Sequence, residues 1–354
     1  MSELKIAVAG AGAIGRRHME LIAQSPECAL CAIVDPAPGA VETARKAGVP
    51  LHGSLAELFV HQRPDGVIIG TPNPLHVENA LDCIAAGVAA LVEKPVAHTL
   101  PEGVRLYEAA ERAHAKILVG HHRAHSPILA KAREIIAQGT LGSLVAVQGS
   151  AMFFKPDSYF EEAPWRRQPG GGPVLINMIH EIGNLRSLCG EIVAVQAFAS
   201  STTRGFPVED TVAINLKFAN GALGTFLVSD TAASARSWEQ TSQENRSYAT
   251  YADEDCYVVV GTRGSLAIPT MRVKAYDKPD DRSWWKPFHT SVAQVDRSDP
   301  LEHQLAHFCA VIRGDARPLV TVRDGLMNLR ITEAIAEAAR TGIIVTMGSL
   351  NEAA

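Results

Sequence analysis

The chain has 354 residues, 47% hydrophobic and 20% charged, with a mean hydropathy of +0.04; this excludes a disordered or low-complexity chain and sets an expectation of two domains at about 150 residues each. Lys and Arg number 33 against 38 Asp and Glu, a net charge of −5, with no block of five like charges to track phosphates, so nucleic acid is not an expected partner. The longest uncharged run, 135–154, is broken by Gln138-Gly139-Thr140 and Gln148-Gly149-Ser150, so no membrane span is expected.

From Lys5 onward, short apolar runs alternate with amphipathic stretches. The runs are Ile6–Ala9, Cys31–Val34, Gly66–Ile69, Ala90–Val92 and Ile117–Val119; helical periods fall near 14–24, 40–47, 54–61, 75–86 and 101–114. Such alternation predicts βαβ units and a doubly wound parallel sheet, a Rossmann domain over 1–122. Lys5 before Ile6-Ala7-Val8-Ala9-Gly10 imitates the start of a signal peptide, but Glu3 and the shortness of the run lead us to read no export signal. Cys28 and Cys31 have a redox or zinc spacing but no second pair within reach, so reduced thiols and a cytoplasmic location are expected.

The remainder, 123–354, is predicted to be an α+β domain with a large, mostly antiparallel sheet. A helix from Pro127 to Gln138 precedes strands near 144–154, 192–201, 211–218, 222–228, 257–260 and 265–268, with a hairpin turn at Asn220-Gly221. Helices are expected over 174–189, 300–313 and 322–341, and Thr231–Asp255, polar and Ser-rich, reads as a long surface loop.

Three clusters carry chemistry. Gly10-Ala11-Gly12-Ala13-Ile14-Gly15 follows the first strand and opens the first helix; strand, glycine turn and helix in that order let backbone N–H groups hold a pyrophosphate. Asp35 ends the second strand, where a carboxylate accepts from ribose hydroxyls and repels a 2′-phosphate, so NAD is expected over NADP; Arg16 and Arg17 weaken that preference. Thr71-Pro72-Asn73-Pro74-Leu75-His76 and Glu93-Lys94-Pro95 follow the next strands, and His121-His122-Arg123 the last, all at the carboxyl edge where open α/β sheets bind ligands. By position alone Lys94 is equally a solvated side chain before a proline turn. Downstream, Trp165-Arg166 precedes Gly170-Gly171-Gly172-Pro173-Val174-Leu175-Ile176-Asn177-Met178-Ile179-His180; on a helix, Ile176, His180 and Asn184 share a face. His121, His122, His125, His180 and Glu181 show no H-E-x-x-H or Cys/His ligand spacing, so no metal is expected.

Together these motifs resemble the glucose-fructose oxidoreductase, inositol dehydrogenase and MocA family over essentially the whole chain. The resemblance implies that Lys94 and His180 flank a nicotinamide as the catalytic pair. It implies cofactor contacts from Gly10, Gly12, Ala13, Ile14, Gly15, Asp35, Thr71, Pro72, Asn73, His76, Glu93, Lys94 and His122, and substrate contacts from Arg123, Trp165, Arg166, Asn177 and His180. Members of this family that oxidise polyols commonly carry Asp four residues before the histidine and three after it; here those positions are Ile176 and Gly183. The expected activity is hydride transfer between nicotinamide and a secondary alcohol of a sugar, cyclitol, sugar acid or related polyhydroxy compound, the acids being suggested by Arg123, Arg166 and Arg167. Alternatives on the same fold are a glycosidase that oxidises its substrate transiently with bound NAD, and a regulator that senses NAD or sugar. A homodimer or homotetramer is expected through the second domain's sheet.

Overall fold

The chain forms two compact units in a computed structural model that describes residues 3–348. One comprises the described residues through His125 together with Pro300–Leu329; the other comprises Ser126–Asp299 and Arg330–Gly348. Residues 300–329 are therefore grouped with the N-terminal part of the chain although they follow all but the last strand of the second unit's sheet in sequence.

In the first unit, β1 (Leu4–Ala9), α1 (Ala13–Gln24), β2 (Cys28–Val34), α2 (Ala40–Ala47), β3 (Leu51–His52), α3 (Leu55–His61), β4 (Gly66–Ile69), α4 (His76–Ala86), β5 (Ala89–Glu93), α5 (Leu100–Ala113) and β6 (Ile117–Gly120) alternate. The six strands are all parallel, in the order β3-β2-β1-β4-β5-β6. Both faces of the sheet are covered, so β4 and β5 are buried at every position; continuous apolar runs such as Val67-Ile68-Ile69 and Ala90-Leu91-Val92 follow from that. The helix Pro300–Arg313 adds Leu305, Phe308 and Cys309 to the core that holds Ile6, Val8 and Ile33.

In the second unit, α6 (Pro127–Ala137), β7 (Leu144–Met152), α7 (Asp157–Glu161), α8 (Ile179–Cys189), β8 (Ile192–Ser200), β9 (Thr211–Phe218), β10 (Leu223–Ser229), α9 (Trp238–Thr241), β11 (Tyr257–Gly261), β12 (Gly264–Ile268), β13 (Arg272–Ala275), β14 (His289–Val292) and β15 (Val345–Thr346) build a nine-stranded sheet with helices. The strand order is β14-β13-β12-β11-β7-β10-β9-β8-β15. Every pair is antiparallel except β7 with β10. Asn220-Gly221 makes the hairpin between β9 and β10, with Gly221 at φ 88°, a left-handed conformation that glycine adopts without strain. Strand β9 alternates: Val212, Ile214, Leu216 and Phe218 are buried in the core with α6 and α8, and Ala213, Asn215 and Lys217 are exposed.

The structure corrects part of one expectation. Within Thr231–Asp255 the stretch 245–254 is exposed, as expected of a surface loop, but Ser237, Trp238, Thr241, Ser242 and Glu244 are buried. Glu244 accepts hydrogen bonds from Trp238 Nε1 within the segment and from the Ser126 hydroxyl outside it, which offsets the cost of burying its carboxylate.

Candidate functional site

Register sets the geometry of the first cluster. Val34, Ala9, Ile69 and Val92 are cross-strand partners in turn, and Glu93 pairs with Gly120. The residues that follow them, Asp35, Gly10, Thr71, Lys94 and His121-His122, therefore line one edge of one sheet, with the reversal of strand order between β1 and β4.

At that edge Gly10 has φ 94°, and a Cβ there would stand 2.5 Å from the Gly70 oxygen; one on Gly15 would stand 1.8 Å from the Gly10 oxygen. Only glycine permits these approaches, which bring β1, β4 and α1 together. Gly12 differs: a Cβ would meet no atom within 4 Å, and Gly12 and Ala13 are exposed. Helices α3, α5 and α6 are capped by Ser54, Thr99 and Ser126, whereas α1 begins at Gly12 with no side-chain cap and no acid in its first turn. Open backbone N–H groups at a helix start suit a pyrophosphate. The half-buried Asp35 carboxylate accepts from the N–H of Ala11 at 2.7 Å and of Ala37 at 2.8 Å. Arg16 is tied into the same turn, Nη1 donating to the Ala11 oxygen at 2.7 Å. These residues fit a dinucleotide.

His76 clasps two loops. Its Nδ1 lies 2.7 Å from the Pro95 oxygen and its Nε2 2.8 Å from the Thr71 oxygen, so the Thr71-Pro72-Asn73 turn and the Lys94-Pro95 turn are held side by side. Glu93 points inward: Oε1 lies 2.7 Å from His18 Nε2 on α1, and Oε2 accepts from the Lys94 N–H at 3.2 Å. Burial raises the Glu93 pKa, but the His18 hydrogen bond and the charges of His18, His122 and Lys94 outweigh it and hold the carboxyl below its ordinary value. Arg123 is buried in the short 3-10 helix His122–His125.

Trp165, Arg166, Asn177 and His180 belong to the second unit. The glycine triplet has a packing reason: a Cβ on Gly171 would stand 2.5 Å from the Trp165 oxygen, and one on Gly172 2.3 Å from Glu209 Oε1. Glu209 in turn accepts from the Val174 N–H, where a single π-helical turn, Val174–Met178, leads into α8; such turns recur at functional sites. His180 is buried on α8, and Tyr257 on β11 anchors the same helix by donating to Glu181 and accepting from Asn184 Nδ2. Trp165 is 57% exposed, and Arg166 lies over the Tyr159 ring, its Cζ 3.7 Å from the centroid. Two residues that sequence reasoning missed join them. Lys155 Nζ donates to Asn177 Oδ1 at 2.8 Å, and Asp230 Oδ2 lies 3.6 Å from the same ammonium. Neither residue belongs to a recognisable motif or spacing.

A parallel six-stranded sheet with a glycine turn, an uncapped helix start and an acid at the next strand end defines an NAD-binding Rossmann domain, and residues 4–121 match the model described as the oxidoreductase family, NAD-binding Rossmann fold. Residues 129–267 match the GFO/IDH/MocA C-terminal domain; the chain belongs to this oxidoreductase family. It is 27% identical over 302 residues to 1,5-anhydro-D-fructose reductase of Ensifer adhaerens, covering 82% of this chain and 81% of that one. Over 364 residues it is 26% identical to scyllo-inositol 2-dehydrogenase (NAD(+)) of Bacillus subtilis, covering 98% and 96%. The fold is shared with an oxidoreductase from Agrobacterium radiobacter solved in complex with NAD+, L-tartaric acid and magnesium, at TM-score 0.80 and 20% identity, with 100% of both chains covered. Among the described residues no helix is long and apolar enough to cross a membrane.

Proposed function

We propose that this chain transfers a hydride between NAD and a secondary alcohol of a sugar, cyclitol, sugar acid or related polyhydroxy compound. The observation that carries this is the presence of both Lys94, after β5, and a buried His180, after the glycine turn, in a family whose matched relatives include a sugar reductase and a cyclitol dehydrogenase. When bound, NAD accepts or returns the hydride. Lys94 anchors the reacting oxygen and His180 takes the hydroxyl proton during oxidation. Asn177 orients a substrate oxygen but cannot exchange a proton. Gly12, Ala13 and Ile14 hold the pyrophosphate, Asp35 the ribose, and the Thr71-Pro72-Asn73 turn, His76, Glu93 and His122 shape the rest of the cofactor's seat. Arg123, Trp165 and Arg166 receive the substrate, and the arginines favour one that bears a carboxylate.

The chain works as a homo-oligomer. On the open face of the second sheet, Phe198, Ala213 and Leu227 form a cross-strand row, with Leu223 further along the same face of β10, and Phe198 is 69% exposed; a row of this kind is suited to burial against a second copy. All six cysteines are free, which supports a reducing, cytoplasmic location.

The test is an NADH-formation screen of the purified protein with NAD+ across sugars, polyols, inositols and their acids. Turnover of at least one polyhydroxy compound is expected, and no turnover across these classes in either direction would overturn the reading.

A further inference from the structure

Lys155 is a buried ammonium for which the reading above has no use. The chain leaves β7 at Met152 and runs beside the end of β10, where the Lys155 N–H donates to the Asp230 oxygen at 2.9 Å. Its side chain is only 11% exposed, and its Nζ lies 4.9 Å from the Tyr159 ring centroid and 5.5 Å from that of Phe153. Burying an ammonium costs free energy unless it is paired. Its counter-charge is shared: Asp230 is buried, and its Oδ1 accepts from Arg204 Nε at 3.0 Å. Arg166 stacks on the Tyr159 ring that Lys155 also faces.

The contact with Asn177 has a direction. An ammonium has three donors and no acceptor, so the amide atom 2.8 Å away must be oxygen. The amide N–H₂ is thereby turned away from Lys155, and among the described residues it has no hydrogen-bond partner. An N–H₂ pairs only with an acceptor. A neutral hydroxyl met there can accept but must place its own proton elsewhere; a carboxylate accepts only, and its charge makes the bond stronger.

We propose that Lys155 is a positioning and specificity-determining residue: by holding the Asn177 amide oxygen it turns the amide N–H₂ toward the bound substrate, and together with Arg166 it fits that end of the site to a carboxylate. This rests on the reading of Asn177 and Arg166 as substrate contacts. It narrows the substrate to acids, such as aldonic or uronic acids.

Lys155 also gives the preference a pH signature. Burial, then the charge of Arg166, lowers its pKa against the pull of Asp230 and Glu239, to about 8. The groups around it are Asp230, Glu239 and Glu209 on the acid side, Arg166 and Arg204 on the basic side, and the Tyr159 phenol. Raising the pH through about 8 removes the Lys155 charge, whereas an arginine in its place stays charged.

The experiment is calorimetric titration of the NAD+-saturated protein with matched probes, D-gluconate against D-glucitol and D-glucuronate against D-glucose, at pH 7 and pH 9.5. In the wild type an acid should bind about tenfold or more tighter than its neutral partner at pH 7, the worth of one charge-assisted hydrogen bond, and lose part of that margin at pH 9.5, where the Lys155 charge is gone and that of Arg166 remains. Lys155→Met should show, at both pH values, only the smaller preference that Arg166 supplies; Lys155→Arg, which still donates to the amide oxygen, should keep the full preference at both. Melting curves identify a variant that fails to fold, and Lys155→Arg then carries the decision through its pH response. Neutral probes binding as tightly as acids, no acid binding in the millimolar range, or an unchanged preference in Lys155→Met would each overturn the proposal. NADH formed from a neutral polyol with no acid preference would sink it and leave the dehydrogenase reading standing; Lys155-dependent acid binding, with no oxidation of any compound in the wider screen, would do the reverse.

Discussion

Glu93 is the residue whose removal best tests how the edge of the first sheet is held. Its carboxylate and His18 are both buried, with 2.7 Å between Oε1 and Nε2, and its second oxygen receives the Lys94 N–H. Glu93→Ala leaves the buried His18 ring and the half-buried Lys94 N–H without their acceptor; a buried group left unsatisfied costs about 1 to 3 kcal/mol, more where charge is involved, so about 2 to 5 kcal/mol is expected, or about 4 to 20 °C in melting temperature at about 2 to 4 °C per kcal/mol for a unit of this size. Glu93→Gln keeps the shape and one acceptor but loses the charge, so about 1 to 2 kcal/mol is expected. Because the folded pKa of Glu93 is depressed, the carboxylate's stabilisation is complete above the ordinary Glu value of about 4.3 and is lost as pH falls through the lower folded value. The gap between wild type and Glu93→Gln should therefore be open at pH 7 and close in strong acid. Differential scanning calorimetry from pH 3 to 8 measures both, and a cycle with His18→Ala should be strongly non-additive. A Glu93→Ala protein that melts within about 2 °C of wild type, the equivalent of under about 1 kcal/mol, would refute this account of the pair.

The wild type should bind NAD more tightly than NADP in a fluorescence titration, and Asp35→Ser with Pro36→Arg should reverse the order by removing the repelling charge and supplying a phosphate partner; equal or tighter NADP binding by the unmodified protein contradicts the role given to Asp35. His180→Ala should lower kcat by about 10² to 10⁴ while leaving NAD affinity nearly intact, and Lys94→Ala should lower kcat/KM at least as far. Near-wild-type turnover in His180→Ala would make Lys94 the proton acceptor. Light scattering at micromolar concentration should give the mass of at least two chains, and Phe198→Glu should reduce it by placing a charge in the exposed row; a monomeric wild type ends that argument.

The parallel sheet is legible because burial on both faces leaves uninterrupted runs such as Val67-Ile68-Ile69, and because ligand-binding residues must follow the strand ends, which fall where those runs stop. The Asn220-Gly221 turn is legible for a local reason, a positive φ that few residues tolerate. What escapes is chemistry assembled from distant residues with no local signature. Trp238 and Glu244 lie in a Ser-rich stretch that reads as solvated, yet Glu244 is held by Ser126, 118 positions away; satisfaction of a buried polar group depends on partners that no local pattern announces. Short β13 and β14 escape because pairing, rather than alternation of apolar residues, makes them strands, and every residue of β14 is exposed. The same limit hides Lys155. Asn177 stands in a glycine-rich motif that draws attention to it, but whether its oxygen or its nitrogen faces a ligand is decided by an ammonium 22 residues earlier in the chain. The motif draws attention to Asn177, and the direction of one hydrogen bond from outside it decides which end of the amide is left open to an acceptor.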